Sequence, residues 1–133
     1  MKRLFSTALL IFSPWLCSPL YAHSIPMCPK IKFQQNQSSW AGHYYLNGVM
    51  ELGSELLLQA DGTFKWYLAY GALDQFAEGT WWQNKECIGL KADPKYQDLM
   101  IFPKYLAIDE NHLNVVWDDG TQQGSYIQAK RPD

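Results

Sequence analysis

From Met50 to Tyr70, alternate positions on either side of a single Asp-Gly pair are apolar, and this period of two is the pattern of two half-buried strands rather than a helix. Met50, Leu52, Ser54, Leu56 and Leu58 share one face of the first run, and Phe64, Trp66, Leu68 and Tyr70 share one face of the second. The length of the turn then sets the register. A two-residue turn at Asp61-Gly62 would set even positions against odd ones and separate the two apolar faces. A three-residue loop of Ala60, Asp61 and Gly62, with Gly62 left-handed, instead pairs Leu58 with Phe64, Leu56 with Trp66 and Ser54 with Leu68. The hydrophobic pattern predicts the second geometry.

The same reading extends along the chain. "WAGHYYLNG" puts Trp40, Gly42, Tyr44 and Leu46 on one face and Tyr45 on the other, with a bend at Gly48. Gly71 to Gly79 is predicted as a loop or one short helical turn, followed by a strand from Thr80 to Gln83. Asn84-Lys85-Glu86 reverses the chain into a strand from Cys87 to Ala92, and Asp93-Pro94 opens another turn. Further strands are expected at about Gln97 to Phe102, at His112 to Trp117 and, after a turn at Asp118-Asp119-Gly120, at Ser125 to Ala129. "KYLAIDENH" is left between them without a definite assignment. Seven or eight short strands at this spacing predict an all-β fold, a single antiparallel β-barrel, with a β-sandwich as the alternative if the sheet does not close. No helical stripe is long enough for a bundle.

The ends read differently. Lys2 and Arg3 precede an apolar run from Leu4 to Leu16, then Ser18 to Ala22 supplies a polar break and a small residue, which is the layout of a signal peptide over residues 1–22. The run is shorter than the roughly 20 residues a membrane-spanning helix needs, so no stable membrane span is expected. Pro14-Trp15-Leu16 ahead of Cys17 does not fit a lipidation signal. Residues 23–39 form an arm rich in Gln, Asn and Ser, residues 40–130 the β domain, and residues 131–133 a tail. Cleavage after Ala22 leaves about 111 residues, enough for one domain. All 13 acidic residues and nine of the 11 basic ones lie beyond the cut, for a formal charge of -4. The basic residues form no stripe that could track phosphates, so a nucleic-acid partner is not expected. Cys28 and Cys87, the two cysteines left in the mature chain, are predicted to form a disulfide in an oxidising compartment.

Gly42-His43-Tyr44, Asp61-Gly62-Thr63-Phe64 and Gly79-Thr80-Trp81 together resemble the small lipocalin-like barrels of exported bacterial proteins, over about residues 40–82. Lipocalins proper carry glycine, any residue, tryptophan in the first strand, where this chain has Tyr44, and a basic residue near the closing end, where it has Lys130 or Arg131. The resemblance implies a fold and transfers no ligand.

Chemical motifs are sparse. His43 on a strand and His112 near Asp109 and Glu110 are the candidates for acid-base work, against the plainer reading of surface histidines. A mature terminus at His23 could chelate copper through its amine and ring, with His43, His112 or Met27 completing the set, but the spacing carries no signature and no cofactor or metal is assigned. Ser54 lacks a nucleophile elbow. Asp74, Glu78, Asp118 and Asp119 offer paired carboxylates with no defined separation across a cleft, and Asp118-Asp119 reads more simply as a turn.

Aromatics are plentiful instead. Five tryptophans, seven tyrosines and four phenylalanines lie beyond residue 22. Most should fill the core, but Tyr45 and Tyr67 project away from it, and consecutive Trp81 and Trp82 cannot both point inward. Unless the arm or a loop covers them, Tyr45, Tyr67 and Trp82 form an outward patch, with Asp74 and Glu78 as a charged rim suited to a basic partner. The leading expectation is therefore an exported module that binds a protein, of the inhibitor, immunity or assembly-factor kind. The alternatives are a lipocalin-like carrier of a small apolar ligand and, third, a small periplasmic hydrolase.

Overall fold

The computed structural model describes residues 14, 28–29, 39–96, 98–117 and 120–130. The expected signal peptide, most of the arm with His23 and Met27, the turn residues Asp118 and Asp119, and the tail at 131–133 lie outside the described residues.

Eight strands follow one another: β1 (Gly42–Asn47), β2 (Leu52–Leu58), β3 (Thr63–Tyr70), β4 (Leu73–Gln83), β5 (Cys87–Ala92), β6 (Tyr105–Asp109), β7 (His112–Val116) and β8 (Gln122–Gln128). Each pairs antiparallel with the next, and β8 pairs back on β1, so the sheet closes as an up-and-down barrel. The sandwich alternative is thereby set aside. Closure pairs most of the strand edges; residues 73–78 of β4 have no ladder among the described residues on the far side from β3, since β5 joins β4 only from Gly79 to Gln83.

The β2–β3 hairpin has the three-residue loop and the register that its apolar pattern demands: Leu58 faces Phe64, Leu56 faces Trp66 and Ser54 faces Leu68. Gly62 takes φ +88°, a conformation other residues resist, and its amide donates to the Gln59 carbonyl at 3.1 Å. Asp61 accepts from the Thr63 amide and hydroxyl, which draws the Asp61 carboxyl below its usual range. Met50, in contrast, stands 87% exposed in the β1–β2 turn, and Tyr70 is exposed at the opposite end of the hairpin from Asp61. Alternation at both sites is real, but it runs past the end of the core.

Two segments depart from their expected form. Gly71 to Gly79 is no loop: β4 begins at Leu73, with Tyr70 paired to Leu73 across a tight turn in which Gly71 takes φ +57°. Its inward positions are Gln75, Ala77 and Gly79, small or polar residues that hide the period of two, while Phe76 faces out. The strand expected near 97–102 is absent from the described residues there. β5 pairs directly with β6, and from the segment between them Tyr96, Leu99, Ile101 and Phe102 pack partly buried against the core, while Met100 stands exposed. Phe102 stands edge-on to Trp66 at 5.1 Å between ring centres, and the Ile101 amide donates to Gln75 Oε1 at 3.1 Å. "KYLAIDENH" supplies β6 and the turn at Glu110, the latter with φ +54°.

Side chains from every strand fill the interior. Tyr44, Leu56, Leu58, Phe64, Trp66, Leu68, Trp81, Ile88, Leu106, Leu113, Val115 and Tyr126 are all essentially inaccessible. Cys28 and Cys87 form the expected disulfide, with Cα atoms 5.9 Å apart, which fastens the arm to the first residue of β5. A closed loop of 59 residues places its entropic contribution at about 4 kcal/mol.

Candidate functional site

The inner face carries polar groups, and each has a structural task. Ser54 Oγ donates to the Tyr67 carbonyl at 2.6 Å, which commits its one proton. Tyr126 must then donate to Ser54 Oγ across 2.7 Å, and it accepts from Trp66 Nε1 at 3.0 Å. The chain Trp66 to Tyr126 to Ser54 to Tyr67 is directional and satisfied at every link. Burial pushes the Tyr126 hydroxyl up to about 12, against the smaller opposing pull of the Ser54 and Trp66 hydrogen bonds. Tyr44, likewise pushed up to about 12 by burial, donates to the Trp40 carbonyl at 2.7 Å, and Trp81 Nε1 donates to the Gln59 carbonyl. Ser54 is therefore a buried structural hydroxyl, with its proton already given away.

The outer face of β1–β4 differs. Register places Tyr45 opposite Glu55, Glu55 opposite Tyr67, and Tyr67 opposite Phe76, so these four residues form one row across four strands. A second row, His43, Leu57, Lys65 and Glu78, runs beside it. Neighbouring strands lie about 4.8 Å apart, so each row spans about 14 Å. Tyr45, Tyr67 and Phe76 are each exposed by more than two-fifths. Between the rows lies a shallow hollow of about 280 Å³ lined by His43, Glu55, Leu57, Lys65, Tyr67 and Phe76.

Local contacts hold this wall in shape. His43 Nε2 meets Glu55 Oε2 at 3.1 Å, and the His43 ring lies 4.6 Å from that of Tyr45. Tyr67 donates its hydroxyl to Asp74 Oδ1 at 2.8 Å, and that bond raises the Tyr67 hydroxyl above the usual tyrosine range. Phe76 meets Tyr96 edge-to-face at 6.0 Å. The rings are thus partly fixed before anything docks, which reduces the entropy lost on binding.

Of the residues expected from sequence to form a patch, Tyr45, Tyr67, Asp74 and Glu78 share this wall. Trp82 does not. It points outward from β4, but it is 9% exposed, and its indole lies across Gly89 of β5, where a Cβ would overlap the ring. A missing side chain opposite Trp82 makes room for the ring to lie flat, and that could not be read without the β4–β5 register. Sequence reasoning also missed Phe76, Leu57 and Glu55 as members of the wall. Phe76 carries no signal because Gln75, Ala77 and Gly79 hide the strand around it, and Glu55 and Leu57 lie on the face of β2 that its apolar alternation does not mark.

His112 is exposed at the start of β7, opposite Ile127. Asp74 and Glu78 lie on one strand with Phe76 between them. Among the described residues no group of three or more His, Cys, Asp or Glu could hold a metal ion. A separate cleft of about 400 Å³ lies between β5 and the 93–104 segment, with Leu90, Leu99, Met100 and Phe102 in its walls and Lys91 and Lys104 beside them.

No family model matches the chain, and no curated protein matches it. A solved structure of a candidate lipoprotein from Shewanella oneidensis is similar at 17% sequence identity, with a TM-score of 0.48 over 75% of this chain and 98% of that one.

Proposed function

We propose that this chain is an exported recognition module that binds a protein partner noncovalently through the outer wall of β1–β4. The observation that carries this reading is the exposed row Tyr45, Glu55, Tyr67, Phe76 laid over a barrel with a filled interior. Rings exposed on a rigid surface are the usual anchors of protein interfaces, because they supply contact area at low entropic cost. The Cys28–Cys87 disulfide supports export, since such bonds persist in oxidising compartments. An apolar-ligand carrier would need interior space that Leu56, Trp66, Leu68 and Tyr126 occupy.

Photo-crosslinking tests the reading. A photoreactive phenylalanine analogue at position 45 or 76, expressed in the native host, should yield one discrete protein adduct. The same group at Lys85, exposed in the β4–β5 turn, should not. Tyr67→Ala should abolish the adduct while the barrel stays folded. Absence of any discrete adduct at both wall positions would count against the proposal.

A further inference from the structure

Resting on that reading, we infer that the wall accepts an extended basic segment of its partner, with Glu55 as the seat of a lysine or arginine side chain. Three observations converge on that carboxylate. Glu55 stands between Tyr45 and Tyr67 in the ladder, so an aromatic ring flanks it on either side one strand away. Its side chain is half exposed and lines the hollow, and His43 Nε2 meets it at Oε2, so the carboxylate stays within reach of a second donor from solvent. Charge on the wall leans acidic: Glu55, Asp74 and Glu78 stand with Lys65, and at the Phe76 edge Asp98 and Lys95 add one charge of each sign.

A carboxylate between two rings is a site for a cation with an apolar stem. The ammonium or guanidinium meets the carboxylate, and the stem and charge lie against the negative ring faces. An anionic segment would instead meet three carboxylates. A sugar would use the rings but gain little from net negative charge. At Tyr45, Glu55 and Tyr67 each strand is already paired on both sides, so around Glu55 side chains rather than backbone pairing supply the contacts.

The test uses three defined probes: two blocked peptides of about eight residues, one alternating serine with lysine and one alternating serine with glutamate, and a neutral oligosaccharide of β-linked glucose. Each is titrated into the isotope-labelled, disulfide-bonded chain at low salt, and amide shifts are followed by NMR. The lysine peptide should give saturable shifts confined to the outward residues of β1–β4, and these should weaken with salt. Glu55→Gln should loosen it by about three- to fivefold, the range of one exposed charge contact. Lys65→Glu should tighten it by a similar factor. The glutamate peptide should leave the wall unshifted.

Saturable binding of the oligosaccharide without the lysine peptide overturns the inference, as does lysine-peptide binding that ignores both Glu55→Gln and Lys65→Glu. Both variants change exposed side chains, and an unchanged shift pattern across β5–β7 verifies the fold. The crosslinking test separates the two claims. An adduct at positions 45 and 76 that persists unchanged in the Glu55→Gln and Lys65→Glu variants leaves protein recognition standing and removes the basic-segment seat. No adduct removes both.

Discussion

Tyr44 and Tyr45 are neighbours in sequence and opposites in surroundings. Tyr44 lies inside the barrel with its hydroxyl bonded to the Trp40 carbonyl, and Tyr45 lies on the outer wall with more than two-fifths of its surface open. A second pair repeats the contrast: Tyr126 inside, held by Ser54 and Trp66, and Tyr67 outside, held by Asp74. The inner rings stabilise because they leave water and every hydroxyl finds a partner. The outer rings gain little for folding where they stand, and the proposed partner binding would account for their position. If that division is right, truncations on the two faces should have effects of different kind as well as size.

The largest effect should come from the inner face. Trp66→Ala removes a fully buried indole, leaves Tyr126 without its donor and opens a space beside Phe102. A loss of about 3–5 kcal/mol in chemical denaturation is expected. Tyr67→Ala, one residue along on the outer face, should cost less than about 1 kcal/mol. Comparable losses in the two variants would break the comparison.

Trp82 sharpens it, because it points outward yet is buried. Gly89→Ala would push a methyl group into the indole plane and should destabilise by about 1–3 kcal/mol, with the Trp82 ring displaced into solvent. Red-shifted tryptophan emission from an otherwise folded barrel is the expected signature. An unchanged spectrum and stability would mean that the ring does not depend on the close approach to Gly89.

These contrasts show which parts of the molecule could be read from its residues. The β2–β3 hairpin was legible in full, because large apolar side chains alternate on both strands and Gly62 fixes the loop length. β4 was not, because a barrel interior already crowded by Trp66 and Phe102 leaves room for Gln75, Ala77 and Gly79 and no more, and such residues carry no apolar signal. The 93–104 segment is the converse case: Leu99, Ile101 and Phe102 are apolar because they pack against the core, and its described residues form no strand. For the wall, period two placed Tyr45 and Tyr67 outside, but the row that joins them to Glu55 and Phe76 exists only through cross-strand register. A linear sequence does not hold that information until its turns are known.

Alkaline titration gives the next contrast in size. Tyr44 and Tyr126 are pushed up to about 12 by burial, whereas an unfolded tyrosine ionises near 10. Below about pH 10 both are protonated in either state and the preference for the folded form is complete. As pH rises from about 10 through 12 the unfolded chain releases its protons first, so stability falls across that window. Tyr126→Phe should flatten the fall while costing about 1–2 kcal/mol at neutral pH, because Trp66 Nε1 and Ser54 Oγ lose a partner. An alkaline slope identical to that of the parent would show that Tyr126 is not one of the late-ionising groups.

The smallest effect should fall on the wall itself. Tyr67→Phe keeps the ring and removes only the hydroxyl bonded to Asp74. Both groups are exposed, so water replaces the bond and stability should change by less than about 0.5 kcal/mol. The hydroxyl nevertheless holds the ring beside Glu55 in a fixed pose, and a ring free to rotate must be ordered again each time a partner arrives. The variant should therefore melt with the parent yet give a weaker crosslinked adduct from position 76. Equal adduct yield would assign the Tyr67–Asp74 bond no part in recognition. Equal loss of adduct and of stability would place Tyr67 with the structural tyrosines of the interior, and the distinction between the two faces would fail at the residue on which it most depends.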